Sequence, residues 1–415
     1  MKRELIIENK AIKRQREESL TYNNIIMLTV AAIFLPYIIA GIVLVGLGIY
    51  LTLNQQTRKI ILSHKNSKYT IMFFVFYLLE ALVYKNWFGT AAGLGLILAI
   101  MIGYFQRSFM TEEFYERVLT LVCILSITSS TCAITQKFII SAVDDYYRYN
   151  RISAMFLHPN YFGTITAIVI IICAYKILTN QGPRWLYCFI GCLNVVSIYL
   201  SESMFAWVEV FVGIGVLLFV LKRYRLLLAW TSIGAIAAYL ILFLNVGLIP
   251  RLSDAKKTLS MRFEIWNFAI EQIRKYPLFG HGSMSCAFLS YKEGHLIPHS
   301  HSILLDNLMN YGFIGTTIMA LYFIRYYTRV ISLIWKEKKT RVLPLILAVS
   351  AAAMVHGLTD VTLFWIQTLP LFIFILSGCG TSEIASIRIK VPELTRRKCV
   401  YALKNNYTTV YYTKK

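Results

Sequence analysis

Two histidines one residue apart, His299 and His301, stand in "PHSHSILLDNLMNYGFIG" (298–315) just ahead of an apolar stretch. An imidazole changes charge near ambient pH, so either ring could take a proton from a hydroxyl as a general base. The pair could also be two ligands of a metal, with His281 or His295 as a third, although neither lies at a recognised spacing. The plainest alternative is a pair of interfacial loop histidines. Upstream, "MRFEIWNFAIEQIRKYPLFGHG" (261–282) spaces Phe263, Trp266, Ile270 and Ile273 as one helix face, with Pro277, Gly280 and Gly282 to stop it. Arg262 then falls in the first turn, where the helix dipole disfavours a cation. A guanidinium beside free backbone N–H groups there would suit phosphate or pyrophosphate, against the simpler reading of an interfacial arginine.

A smaller set lies in "IISAVDDYYRYNRISAMFLHPNYFG" (139–163), with Arg148, Arg151, His158, Asn160 and Tyr161. "HPN" followed by an aromatic and Gly163 predicts a rigid turn capping the next helix. Its side chains could bind sugar hydroxyls or phosphate, or anchor at a membrane interface. Inside apolar runs, "SESMFAWVEV" (201–210) holds Glu202 and Glu209, and "MVHGLTDV" (354–361) sets His356 and Asp360 four apart on one predicted helix face. Ionisable groups in such runs point either to function, proton-coupled transport included, or to hydrogen bonds between helices.

The elements that must position these groups are membrane spans. Of 415 residues 57% are hydrophobic and only 15% charged, against about 25% charged in soluble domains. Continuous apolar runs at 70–86, 87–106, 119–138, 164–178, 185–203, 204–221, 227–250, 311–335, 342–361 and 362–380 are span-length, where barrel strands would alternate. The fold class is therefore all-α, a polytopic membrane protein. Residues 25–53 are long for one helix and predict a hairpin bending near Pro36. Basic loops at 54–69, 222–225 ("KRYR") and 336–341 ("KEKKTR") fall on one side by the positive-inside rule, together with both ends. The count is then about twelve helices with both termini cytoplasmic, the first 24 residues a retained tail with no signal peptide, and 381–415 a basic tail. Within the transmembrane domain, 25–380, the external loops are 139–163 and the larger 251–302, between the ninth and tenth helices. The net charge of +21 follows the loops and ends, which argues against nucleic acid as a partner. Eight cysteines show neither a CxxC nor a metal spacing.

Taken in order, the motifs resemble the O-antigen ligase and O-antigen polymerase superfamily of bacterial envelope enzymes. The similarity covers roughly residues 145–365. It rests on Pro159-Asn160, on Arg262 with Ile265-Trp266, and on Pro277-Leu278 with Gly280-His281-Gly282. His299-Ser300-His301-Ser302, Gly312-Phe313-Ile314-Gly315, and His356-Gly357 with Asp360 complete the series. Two positions depart from the pattern: Ser302 stands where an asparagine is usual, and Met204 where an arginine often follows "SxS". The resemblance implies a polysaccharide polymerase of a capsule, exopolysaccharide or O-antigen pathway in the bacterial inner membrane. Its donor would be a glycan on undecaprenyl pyrophosphate and its acceptor a sugar hydroxyl of a lipid-linked repeat unit. Arg262 would stabilise the leaving pyrophosphate and His301, with His299 in reserve, would deprotonate the acceptor. Arg151 or Arg148 would stand in for the arginine missing at 204. Substrate binding would fall to these two with His158, Asn160, Tyr161, Glu202, His281 and Asp360. No cofactor or catalytic metal is expected; a flippase and a chain-length regulator are expected partners. A ligase acting on another acceptor, and a flippase or transporter, are the alternatives.

Overall fold

The structure is a computed structural model that describes residues 20–243, 255–336, 341–381, 399–404 and 407–412. Apart from one hairpin it is helical. In chain order the helices are α1 Leu20–Ala32, α2 Tyr37–Leu53, α3 Gln55–Ser63, α4 Ser67–Val83, α5 Trp87–Phe109, α6 Glu112–Ile134, α7 Asp145–Tyr149 and α8 Pro159–Thr179. Then come α9 Arg184–Ser201, α10 Met204–Val220, α11 Tyr224–Phe243, α12 Ala255–Lys275, α13 Ser285–Lys292, α14 Ile303–Lys336, α15 Leu343–Gly357 and α16 Thr368–Ser377. Strands β1 (Cys399–Lys404) and β2 (Tyr407–Tyr412) pair antiparallel within the segment expected to be a plain basic tail.

Five helical segments among the described residues are long and apolar enough to cross a membrane: Trp87–Phe109, Glu112–Ala142, Pro159–Thr179, Arg184–Ser201 and Tyr224–Ile241. A sixth candidate is the pair α2 and α3, bent by 86°. Four further apolar helices, α1, α10, α15 and α16, are shorter. The end of the expected span 227–250 and the start of the expected loop 251–302 lie outside the described residues.

Helix α8 is the hub, buried along nearly its whole length from Tyr161 to Lys176. It packs on α9, α10 and α6, and α10 packs in turn along α15. Residues on every face of α8 are apolar, which is the pattern of a helix surrounded by others rather than by lipid. Its start is set locally: His158 is the N-cap, its Nδ1 accepting the Asn160 N–H at 3.1 Å, and Pro159 opens the first turn. The expected rigid turn at "HPN" is therefore a helix cap, with Asn160 and Tyr161 inside the first turn.

Breaks in helices meet one another. Pro36 separates α1 from α2, as expected, and a non-helical stretch separates α15 from α16. The Gln367 amide from the second break donates to the carbonyls of Ile33 and Leu35 at the first, both at 2.8 Å. Carbonyls freed at a break need such partners in lipid, where water cannot serve.

The structure corrects three expectations. Helix α15 ends at Gly357, so His356 and Asp360 do not share a helix face; Asp360 N–H and Thr359 N–H both return to the His356 carbonyl as the chain turns away. Helix α12 begins at Ala255, which puts Arg262 beyond the first turn, where the dipole argument for anion binding does not apply. Its packed face also differs: Ala269 and Ile273 meet the α13–α14 cluster, while Phe263 and Ile270 are exposed.

Candidate functional site

Asp360 is the centre of the site. Its side chain is 2% exposed, yet both oxygens are fully engaged. Oδ1 accepts from His299 Nε2 at 2.7 Å, His301 Nδ1 at 3.1 Å and the Val361 N–H at 2.8 Å. Oδ2 accepts from the Asn160 side-chain amide, whose own oxygen accepts from the Arg151 guanidinium. Four separate stretches of chain thus converge: the α8 cap, the loop before α8, the loop before α14 and the break after α15. A buried carboxylate requires this degree of donation, because desolvation without it is prohibitive.

The loop carrying the histidines is held just as tightly. His301 has a left-handed backbone (φ 53°), uncommon for a residue with a Cβ and maintained only where neighbours enforce it. Asp306 supplies that enforcement: its carboxylate accepts the Ser300 N–H and the Asn310 amide, each at 3.0 Å. The Asn310 oxygen then accepts the Ser285 N–H at 2.9 Å, tying in α13. Trp365 closes one wall, stacked on Tyr161 with centroids 4.8 Å apart and set edge-on to His299 at 5.6 Å.

The two glycine motifs are one contact. Within α14 the helix is interrupted at Gly312 (φ 60°, ψ −172°), and the 277–282 turn docks there. Phe313 N–H donates to the Pro277 carbonyl at 2.8 Å and Gly282 N–H to that of Asn310 at 2.9 Å. A Cβ at Gly312 would lie 2.2 Å from the Leu278 oxygen, so only glycine permits the approach. His281 belongs to this turn. Its ring is edge-on to Tyr276 at 4.1 Å and beside Tyr84 at 4.6 Å, and its carbonyl accepts from Asn86. Burial, reinforced by Lys292, pushes its pKa down to about 4, so the ring is neutral.

Of the residues singled out in the sequence, His299, His301, Asp360, Asn160 and Arg151 form one network. Arg262 comes from α12 to within electrostatic reach of Asp360, its guanidinium carbon 5.5 Å from the Phe205 ring centroid. Arg151 Nε donates to the Ser201 carbonyl at 3.0 Å, at the foot of the "SES" turn. His158 and Tyr161 stand beside the network as cap and wall, their rings 5.2 Å apart. Arg148 instead pairs with exposed Asp145 at 3.2 Å, and Glu202 lies 4.0 Å from Lys137. His281 supports the turn. Sequence reasoning missed Asp306, Asn310, Trp365 and Phe205; the i, i+4 spacing of Asp306 and Asn310 was the available signal.

His299, His301 and Asp360 also have the makings of a metal set, their ligand atoms lying within 4.8 Å of one another. The third member is Asp360 rather than His281 or His295. As placed, the ring nitrogens that face Asp360 are engaged with its oxygen, and the arrangement is equally that of a carboxylate orienting two imidazoles.

These features define a helical membrane protein with a polar Asp–His site at a set of helix breaks. Residues 187–320, less than half of the chain, match the family model described as O-Antigen ligase, a similarity that supports an O-antigen ligase and polymerase-like superfamily. The matched stretch contains Arg262, His299 and His301; Asn160, Arg151 and Asp360 reach them from outside it. No curated protein matches the chain.

Proposed function

We propose that the chain is a polysaccharide polymerase that transfers a glycan from an undecaprenyl-pyrophosphate carrier onto a sugar hydroxyl of a lipid-linked repeat unit. The observation that carries this reading is the Asp360–His301 pair with Arg262 within electrostatic reach of Asp360. Asp360 accepts from His301 Nδ1, which fixes the tautomer and leaves Nε2 with its lone pair. The His301 side chain is 27% exposed whereas that of His299 is 9% exposed. His301 Nε2 therefore takes the proton of the acceptor hydroxyl, and His299 holds Asp360 in place. As the acceptor oxygen forms its bond to the anomeric carbon, the bond to pyrophosphate breaks, and Arg262 receives the charge that develops there.

Pyrophosphate is already an activated leaving group, so positioning, a base and charge stabilisation suffice and no metal is required. Activity in the presence of a chelator is the expected result. The chain crosses the bacterial inner membrane about twelve times, with both termini cytoplasmic and the site at the outer face. A flippase that delivers the donor and a chain-length regulator are its partners. The description of the matched family as O-Antigen ligase favours a second reading, transfer of the glycan to a different acceptor.

The test is glycan length in cells lacking this gene, complemented with wild type, His301→Ala or Arg262→Ala at matched membrane levels. Single repeat units on the carrier with both variants, and long chains with wild type, support polymerisation. Long chains from both variants would refute the site. If the deletion strain makes full polymer but does not attach it, the ligase reading replaces this one.

A further inference from the structure

Around His356, four residues before Asp360, lies a second polar cluster buried from solvent. The side chains of Glu209 and His356 are each 1% exposed and pair at 3.0 Å, and Thr164 hydrogen-bonds to both, at 3.3 and 3.1 Å. What this cluster touches is Phe205. Phe205 and Glu209 stand four apart on α10 and so share a face. The His356 ring stacks on Phe205 with centroids 5.8 Å apart and planes 23° from parallel.

The same phenyl ring carries Arg262, whose guanidinium carbon is 5.5 Å from its centroid. Among the described residues Arg262 makes no hydrogen bond and no salt bridge. An aromatic face attracts a guanidinium through its quadrupole without occupying any N–H donor. A carboxylate partner would do the opposite, using two donors and cancelling the charge.

We propose that Phe205 is a positioning residue for Arg262. Its ring, which also stacks on His356 of the His356–Glu209 pair, orients the guanidinium while leaving all its donors for the departing phosphate group. This rests on the reading of Arg262 as the group that meets pyrophosphate.

The experiment is a double-mutant cycle in membranes from the deletion strain, assayed with lipid-linked glycan extracted from that strain. Phe205→Leu, which keeps apolar bulk but removes the π face, lowers kcat/KM about tenfold at unchanged membrane level. Phe205→Tyr, which keeps the face, stays near wild type. In an Arg262→Ala background, Phe205→Leu has no further effect. His356→Gln gives the same pattern as Phe205→Leu in both backgrounds. An equal loss from Phe205→Leu with and without Arg262, or a Tyr variant as impaired as Leu, would overturn the platform and leave the role of Arg262 standing. Full activity of Arg262→Ala would remove the site reading and the platform together.

Discussion

His356 and Asp360 are four residues apart, and each belongs to a histidine–carboxylate pair, but the two pairs are built for different ends. The His356–Glu209 pair is enclosed between regular helices, α10 and α15, with both side chains 1% exposed. The Asp360 cluster sits where helices stop: at a cap, in a loop with a left-handed His301, and in the break after Gly357. The closed pair can hold neighbours in place but can reach no substrate. The open one keeps a single ring edge accessible on a rigid frame, which is what proton transfer to a bound hydroxyl needs.

The largest effect that would test this contrast is at His301. Replacement by Ala is expected to lower the transfer rate by about 10²- to 10⁴-fold, the usual contribution of a general base. Thermal stability of the purified protein should stay close to wild type, since the side chain is partly exposed. A large drop in melting temperature with modest loss of rate would move His301 into the structural class.

Glu209→Ala should behave in the opposite way. It leaves His356 and Thr164 buried with only each other as partners, and removing one partner of a buried pair typically costs about 3–5 kcal/mol. The expected result is a low melting temperature and poor accumulation in the membrane. Joint replacement of Glu209 and His356 by Leu should recover much of the stability while activity remains impaired. Recovery of activity as well would show that the closed pair does nothing for the site.

Gly312→Ala probes the frame itself. The backbone at Gly312 is in a region that side chains avoid, and the new Cβ would meet the Leu278 carbonyl at 2.2 Å. A loss of at least ~2 kcal/mol is expected, measured as a fall in melting temperature, with activity per folded molecule reduced as the turn and the histidine loop separate. Unchanged stability would mean that the two glycine motifs are not one contact.

Much of this was legible in the sequence because it depended on residue type and order. The apolar runs specified helices; Asp360 was conspicuous as an ionisable group inside one of them, and the histidines, Arg262 and Asn160 stood out in the two expected external loops. What the pattern could not supply was where helices end. Continuous hydropathy carried the expected span through 361, whereas the helix stops at Gly357 and Asp360 turns into the site. Arg262 was misplaced for a related reason: nothing in its neighbourhood marked the seven helical residues before it, so it was read as part of a first turn. Partners such as Asp306 and Phe205 are ordinary residues whose importance arises only from packing across distant segments.

His281 offers the most selective test. Burial lowers its pKa to about 4, from an ordinary value near 6.5. Above pH 6.5 the ring is neutral in both folded and unfolded chains, and its full stabilising contribution is present. As pH falls from 6.5 towards 4 the unfolded chain binds a proton that the native ring resists, and up to roughly 3 kcal/mol is progressively lost. His281 is 4% exposed, so solvent screening takes little from that figure. Melting temperature should therefore decline between pH 6.5 and 4.5 in wild type and decline less in His281→Gln. An acid decline in His281→Gln as steep as in wild type would show that the buried ring is not its source.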